Sequence, residues 1–421
     1  MQKREIKRRL VDVAKQCMAD DFVLAIHGPR SVGKSTVLRR LAIDIGARVV
    51  DLDNPEDLQA FTNNPMLFVE SFDPLFIDEY QKYPASLDAI KAALNTSALP
   101  GRFVISGSTR PETLPHAAQA LTGRLHVVDL LPLSQGEIAG ITENFLEVAL
   151  GDPLSIVRQG KSATSRADYA ERVCAGGFPL ALERSGARRN KWFDDYIKLS
   201  VERDIRSLAP RLRTPSRLTP ILERLASQTG QILNVAATAS KLGFDNWTVE
   251  SYIRLMEDIY LIRRLPAWGK TLRSRVGVMP KVHVVDSGLA ARLMRVTPSR
   301  LALLDNSAMT EFGHLLETFV VGEIAKQASW LEENVALGHW RTRDGLEVDV
   351  VVENDDGLVT AFEVKSGSNI GSDDLKPMRN LRSAVGDLFS AGFLFYTGRY
   401  PYTVEDRIHV IPIDQLWRPV T

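Results

Sequence analysis

Along the first third of the chain, short apolar runs alternate with amphipathic stretches. The runs are FVLAIHG, ARVVDLD, PLFIDE, RFVISGS and RLHVVDLLPL, the last ending at Leu133. Strands buried on both faces read as continuous apolar runs, so this alternation predicts a parallel sheet flanked by helices. From about Ser134 to Thr229 the pattern is mostly helical, and the polar stretch RQGKSATSRAD at 158–168 reads as an exposed linker where one domain ends and another begins. Two helical patterns separated by GFDN follow between about Asn234 and Ile259, and then two strand-like runs, YLIRRLPAW and KVHVVD. From about Thr310 a long amphipathic helix, EFGHLLETFVVGEIAKQ, leads into VDVVV, TAFEVKS and GFLFYT, three strands spaced as in a mixed sheet. The fold class expected is α/β in four parts: a parallel-sheet domain over 1–140, a helical lid and linker over 141–229, a winged helix-turn-helix over 230–290 and a mixed α/β domain over 300–421.

The first strand runs into GPRSVGKST, which sets Gly28, Pro29, Arg30, Ser31, Val32, Gly33, Lys34 and Ser35, followed by Thr36, in the order G-x-x-x-x-G-K-[ST]. The helical pattern TVLRRLAIDI follows, and strand, glycine loop and helix together are the context a phosphate-binding loop requires. The glycines let backbone N–H groups turn inward around the phosphates of ATP. Lys34 neutralises the β and γ oxygens, and Ser35 offers its hydroxyl to Mg²⁺. Further on, PLFIDEYQK ends a buried strand in Asp78 and Glu79. In P-loop enzymes the first such carboxylate holds Mg²⁺ and the second polarises the attacking water. A third strand, FVISGSTR, ends in Ser106, Ser108 and Arg110. Ser106 or Ser108 could sense the γ-phosphate, against which stands a simple turn of small residues. Arg124, in LTGRLHVV, could be an arginine finger presented to a neighbouring copy in a homo-oligomer, or a surface arginine.

The segment NVAATASKLGFDNWTVESYIRLMEDI has the layout of a helix-turn-helix, with Ala236, Ala239, Leu242, Val249 and Ile253 packing the pair. From Ile259 through Val285 there is no acidic residue, while Arg263, Arg264, Lys270, Arg273, Arg275 and Lys281 supply positive charge. A basic wing of this kind suits phosphate contacts on DNA. Against it, Glu250, Glu257 and Asp258 on the second helix would repel phosphate if they faced outward, and such folds also serve as protein-contact modules. Further along, LEVDVVVENDDGLVTAFEVKSGS puts Asp349 on one strand and Glu363 and Lys365, two apart and therefore on one side, on the next. Glu317, on the preceding helix, adds a carboxylate. This resembles the PD-(D/E)xK nuclease pattern, in which carboxylates bind a divalent metal and the lysine positions or activates water. It implies Glu317, Asp349 and Glu363 as ligands of a second Mg²⁺ or Mn²⁺, with Val348 where a proline is usual. The competing reading is an alternating strand pair kept for binding alone.

Composition narrows the partners only a little. With 421 residues, 52 basic and 52 acidic, the chain carries no overall electrostatic bias, so affinity for nucleic acid must come from local clusters. The length favours two or three domains. Cys17 and Cys174 lack metal-ligand spacing and are too few for a disulfide framework, which suits a reducing cytoplasm and two buried small apolar residues. The basic start MQKREIKRRL has no apolar segment behind it, and no apolar run approaches the ~18 residues of a membrane span, so no membrane partner is expected.

Taken together, the motifs resemble those of the prokaryotic AAA-type ATP-binding proteins whose C-terminal domain is similar to restriction-endonuclease-like folds. The resemblance rests on GPRSVGKST, LFIDEYQ, ISGSTR followed by LTGR and LLPLS, GGFPLAL, VERDI, VHVVDSGLA, and the pairing of LLETFVVGEI with VDVVV and FEVKSG. It implies that the domain over 1–140 is AAA-type and binds ATP through Gly33, Lys34, Ser35 and Asp78. Tyr80 departs from it, standing where similar proteins carry an aliphatic residue. The function expected is a Mg²⁺-dependent ATPase acting on DNA, with a nuclease-like C-terminal domain that binds or cleaves nucleic acid. The alternative is a nucleotide-controlled switch whose C-terminal half is a non-catalytic module for a protein partner or DNA.

Overall fold

The computed structural model describes residues 6–110, 121–209, 218–271 and 278–420; Arg273 and Arg275 of the basic stretch lie outside them. The chain forms two compact units, one of residues 1–133 with 258–260 and one of the remainder.

In the first unit, five parallel strands form a sheet in the order β2-β3-β4-β1-β5. They are β1 (Val23–His27), β2 (Arg48–Asp51), β3 (Leu75–Asp78), β4 (Phe103–Gly107) and β5 (Leu125–Asp129). The three central strands, β3, β4 and β1, are buried at every position, which is why their sequences are unbroken apolar runs. Val23, Ala25, Ile77, Phe103 and Ile105 meet Leu87, Ile90 and Leu94 of the helix Ser86–Thr96 in one core. Burial of this kind contributes roughly 25 cal/mol per Å² of apolar surface.

The second unit holds two sheets. The helix Leu218–Ala226, β6 (Gln231–Ile232), the helices Val235–Leu242 and Asn246–Asp258, β7 (Ile262–Leu265) and β8 (Lys281–Val284) build an antiparallel three-stranded sheet, order β6-β8-β7, with its helices. Thr238, Ala239, Val249 and Ile253 are buried between them, but Ala236 is exposed and Leu242 only half-buried. The reason is the helix start: Asn234 caps the helix through Ala237 N–H at 2.8 Å, and that phase turns Ala236 outward.

The larger sheet has the order β13-β14-β12-β11-β10-β9, with β11, β12 and β14 parallel and the other pairs antiparallel. Its strands are β9 (Val335–Arg341), β10 (Glu347–Asn354), β11 (Val359–Val364), β12 (Phe389–Tyr396), β13 (Tyr402–Glu405) and β14 (Ile408–Pro412). Val348, Val351, Val359 and Ala361 pack with Met378 and Leu381 of the helix Lys376–Val385, while Phe145, Phe362, Phe393 and Phe395 form an aromatic cluster.

One expectation fails here. The long helix, Asn306–Ala328, is not amphipathic: from Leu315 to Gln327 every residue except Gly322 is buried, so Glu317 and Glu323 are carried into the interior. The polar stretch at 158–168 lies within the second compact unit, whose boundary falls at Leu133 and Ser134. Ser162 is buried and donates its hydroxyl to Asp414 at 2.7 Å, as does Thr164 at 2.9 Å. Both hydroxyls go to Oδ2 of this buried carboxylate instead of facing water.

Candidate functional site

The phosphate loop leaves the C-terminal end of β1 and closes on the helix Lys34–Ile45. Gly28 has φ 151°, and a Cβ there would lie 2.2 Å from the carbonyl oxygen of Leu130, so no side chain fits. Gly33, in the left-handed region at φ 100°, forms the start of the helix. Lys34 is buried and donates to the carbonyls of Gly28 at 3.0 Å and Pro29 at 2.8 Å. Ser35 follows in the first helical turn, half-buried, and Thr36 is exposed. A clamp that sequence reading missed is Arg8, which donates from one guanidinium to Val32 O and Leu131 O, both at 2.6 Å. Nothing in the sequence of the basic N-terminal stretch distinguishes this arginine from the other basic residues around it.

Opposite the loop, β3 ends in Asp78 and Glu79. Asp78 is buried, and its Oδ1 accepts from Glu79 N–H at 3.1 Å and from the Ser106 hydroxyl of β4. Because β4 lies between β3 and β1, Ser106 connects the acidic strand end to the strand that carries the loop. Glu79, at φ 55°, accepts on Oε2 from the Ser108 hydroxyl at 3.3 Å and from the Gln81 amide, which also donates to Ser108 Oγ at 3.0 Å. Gln81 is a second residue that sequence reading passed over, although its place two positions after the acid was the available signal. Tyr80 is a core residue: it is 1% exposed, packs edge-on to His27 with ring centroids 5.6 Å apart, and lies so close that a Cβ on Gly107 would be 2.8 Å from its ring.

Arg124 precedes β5, whose register pairs Leu125 with Val23 and Asp129 with His27. The phosphate loop begins after His27, so Arg124 sits at the other end of the strand, about 20 Å away at the rise of an extended chain. Its guanidinium donates to Asn95 Oδ1 at 2.9 Å. Arg110 stacks over the Tyr260 ring at 5.3 Å, and its N–H donates to Asp258 O at 3.1 Å.

In the second unit, Glu317, Asp349, Glu363 and Lys365 converge. A break in the β9–β10 register between Val348 and Val351 surrounds Asp349. Asp349 Oδ2 accepts from Val364 N–H at 2.9 Å, and Glu363 Oε1 accepts from Lys365 Nζ at 2.8 Å. At the centre stands a residue the sequence had assigned to the basic wing. Lys281, on β8, is 0% exposed, and its Nζ donates to Glu317 Oε1 at 2.7 Å, Glu347 Oε1 at 2.5 Å and Asp349 Oδ1 at 2.8 Å. Burial pulls the Lys281 ammonium down, and Asp349, Glu317 and Glu347 more than reverse this, holding it well above its ordinary value. Burial and the charge of Asp349 push Glu363 up to about 8. Arg264 is also turned inward, pairing with Glu250 at 2.8 Å and Glu257 at 3.0 Å, so those two acids neutralise an arginine. The basic wing is therefore smaller than its count of six.

Cys17 and Cys174 are half-buried, not buried. Cys17 approaches Asp21 and His126, with ligand atoms within 4.8 Å of one another, but burial and Asp21 push its thiol up and disfavour the thiolate that binds metal. Among the described residues no helix is long and apolar enough to cross a membrane.

Residues 20–139 match a family model described as an AAA domain; 166–300 and 312–416 match two domains of unknown function, DUF8612 and DUF4143. Uncharacterized proteins of Mycobacterium bovis and Mycobacterium tuberculosis are each 28% identical to this chain over 397 residues, which is 94% of it and 80% of theirs. Solved structures to which the chain is similar include the Walker-type ATPase of Pyrococcus abyssi (14% identical, TM-score 0.43, 69% of this chain and 97% of that one). Another is AMPPCP-bound DnaA of Aquifex aeolicus (16% identical, TM-score 0.27, 59% of this chain and 86% of that one). The match over 20–139 agrees with the phosphate loop at 28–35 in making the N-terminal domain AAA-type.

Proposed function

We propose that the AAA-type domain hydrolyses Mg²⁺-bound ATP, and that the second unit uses the cycle to hold nucleic acid without cutting it. The observation that carries the ATPase reading is the edge shared by three neighbouring strands, where Asp78, Ser106 and the phosphate loop lie side by side. The donors there are oxygens, the Ser35 hydroxyl and the Asp78 carboxylate, which suits Mg²⁺. When bound, Mg²⁺ would offset charge on the β and γ oxygens. Lys34 exchanges loop carbonyls for phosphate oxygens. Glu79 polarises the attacking water, held in orientation by Ser108 and Gln81, and Ser106 reports through Asp78 on the state of the γ position. Arg124 lies too far along β5 to reach its own nucleotide, so its role as a finger belongs to a neighbouring copy.

The order helix, strand, helix, helix, strand, strand over 218–284 is that of a winged helix. Trp247, 79% exposed, stands in the first turn of its third helix, and Lys241 and Lys270 are also exposed. An exposed aromatic ring suits base stacking, and exposed cations suit phosphate contact. The C-terminal cluster does not fit a divalent ion as it stands, because Lys281 Nζ occupies the point shared by Glu317, Glu347 and Asp349, while Glu363 is paired with Lys365. That observation also favours the second reading, a nucleotide-controlled switch with a non-catalytic C-terminal half.

One preparation assayed for ATPase and nuclease activity, with and without duplex and single-stranded DNA, separates these. The proposal expects faster ATP turnover with DNA and no nicking in Mg²⁺ or Mn²⁺. Nicking that disappears in Asp349→Asn would contradict it, and absence of any salt-sensitive DNA affinity would leave the protein-partner switch.

A further inference from the structure

In a strand, residues two apart share a face, so Lys281 and His283 of β8 both point at the helix Asn306–Ala328. Lys281 reaches Glu317 at 2.7 Å, and His283 Nδ1 lies 3.1 Å from the Thr318 hydroxyl. His283 is 2% exposed, its Nε2 has no hydrogen-bond partner, and that nitrogen stands 4.0 Å from Glu317 Oε1. The neutral imidazole is the form held here, since burial and the charge of Lys281 keep its pKa well below the ordinary value.

The strand carrying these residues is fixed in place. Gly230 donates to Val282 O at 2.9 Å, and a Cβ on Gly230 would lie 3.0 Å from Glu317 Oε2, so only glycine lets the chain pass this close to the carboxylate. The segment after β7 adds to the edge of β9: Trp268 N–H donates to His339 O at 2.6 Å, and His339 N–H to Pro266 O at 2.9 Å. An ammonium has three protons to donate. Glu317, Glu347 and Asp349 take all three at 2.5–2.8 Å. A divalent ion ligated by the same oxygens, at about 2.0–2.6 Å, would need the point where Nζ stands.

We propose that Lys281 is the resident cation of a latent divalent-metal site: it stands among Glu317, Glu347 and Asp349 where a metal would sit, and it alone keeps the cluster metal-free. Without its ammonium, the three carboxylates and the unpartnered His283 nitrogen become a mixed oxygen and nitrogen ligand set, which suits Mn²⁺ or Zn²⁺ better than Ca²⁺. The inference goes beyond the ATPase reading and is independent of it, since it concerns the protein without nucleotide.

The test is a Mn²⁺ titration of the full-length chain without nucleotide, followed by the electron paramagnetic resonance signal of the free ion. Wild type and Asp349→Asn should bind Mn²⁺ alike. Lys281→Ala should bind one more ion per chain, and the gain should vanish in Lys281→Ala with Asp349→Asn. Mn²⁺ should raise the melting temperature of Lys281→Ala and leave that of the wild type unchanged; recovery of a folded Lys281→Ala only in the presence of Mn²⁺ supports the proposal equally. A folded Lys281→Ala with no added ion overturns it. If Lys281→Ala never folds, the wild type decides: equal binding in Asp349→Asn supports the proposal, and a wild-type site lost in Asp349→Asn overturns it.

Discussion

Two buried lysines, Lys34 and Lys281, mark the two sites of this chain, and they differ in what their ammonium groups touch. Lys34 donates to backbone carbonyls of a glycine loop, contacts that phosphate oxygens can take over. Lys281 donates to three carboxylates, and removing one partner of such a buried cluster leaves charge stranded in the interior. Similar side chains at similar depth therefore support opposite outcomes: one site is arranged to receive an anion from outside, and the other holds its counter-charge within the fold. The identity of the acceptors, more than the presence of the lysine, separates a binding site from a closed ion-pair network.

The largest expected effect lies at Lys34. Lys34→Ala should lose measurable ATP binding in an equilibrium titration, because it removes the loop cation aimed at the β and γ phosphates; unchanged affinity would remove the P-loop reading. Arg124→Ala comes next. If the finger acts on a neighbouring copy, turnover per chain should rise with protein concentration and drop by roughly 10³-fold in the variant. A rate per chain that stays flat on dilution would take that role away. Glu79→Gln should keep ATP affinity and lower turnover at least about a hundredfold, the scale of losing a general base. Equal loss of binding and turnover would instead make Glu79 a ligand.

The smallest effect concerns a buried acid of the second unit. Glu143, 2% exposed, accepts from the Ser134 hydroxyl, and burial pushes its pKa from 4.5 up to about 7. A raised folded pKa means the folded state keeps a proton the unfolded chain has released. The resulting stability is full below pH 4.5 and is lost as pH rises through about 7. Glu143→Gln, neutral at every pH, should flatten that loss and raise the melting temperature at pH 8 by on the order of a few degrees, with little change at pH 4. A parallel shift at both pH values would mean Glu143 is ionised in the folded protein.

How far each site could be read in advance follows from how its residues are spaced. The phosphate loop is contiguous from Gly28 to Ser35, so strand, glycines, cation and hydroxyl appear in one window, and β3 supplies Asp78 and Glu79 in another. The parallel sheet was legible because its central strands are apolar throughout. The C-terminal acids were legible as a strand pair, but their counter-ion was not: Lys281 is 36 residues from Glu317 and 68 from Asp349. A run without acids looks like a basic surface whichever way its side chains point, and only the fold turns Lys281 and Arg264 inward. Arg8 escaped for the same reason, since its acceptors are backbone carbonyls 24 and 123 residues away. β9 and β13 escaped because they are only partly buried and carry a weak alternation, whereas β14 is as long and as fully buried as β1, and neither its length nor its burial explains why it escaped.

The contrast between the two lysines is tested most directly by counting Mn²⁺ bound to the wild-type chain in the presence of a non-hydrolysable ATP analogue. The account predicts one ion per chain, present only with the nucleotide and lost in Lys34→Ala and Asp78→Ala while unaffected by Asp349→Asn. A second ion per chain that disappears in Asp349→Asn would contradict it.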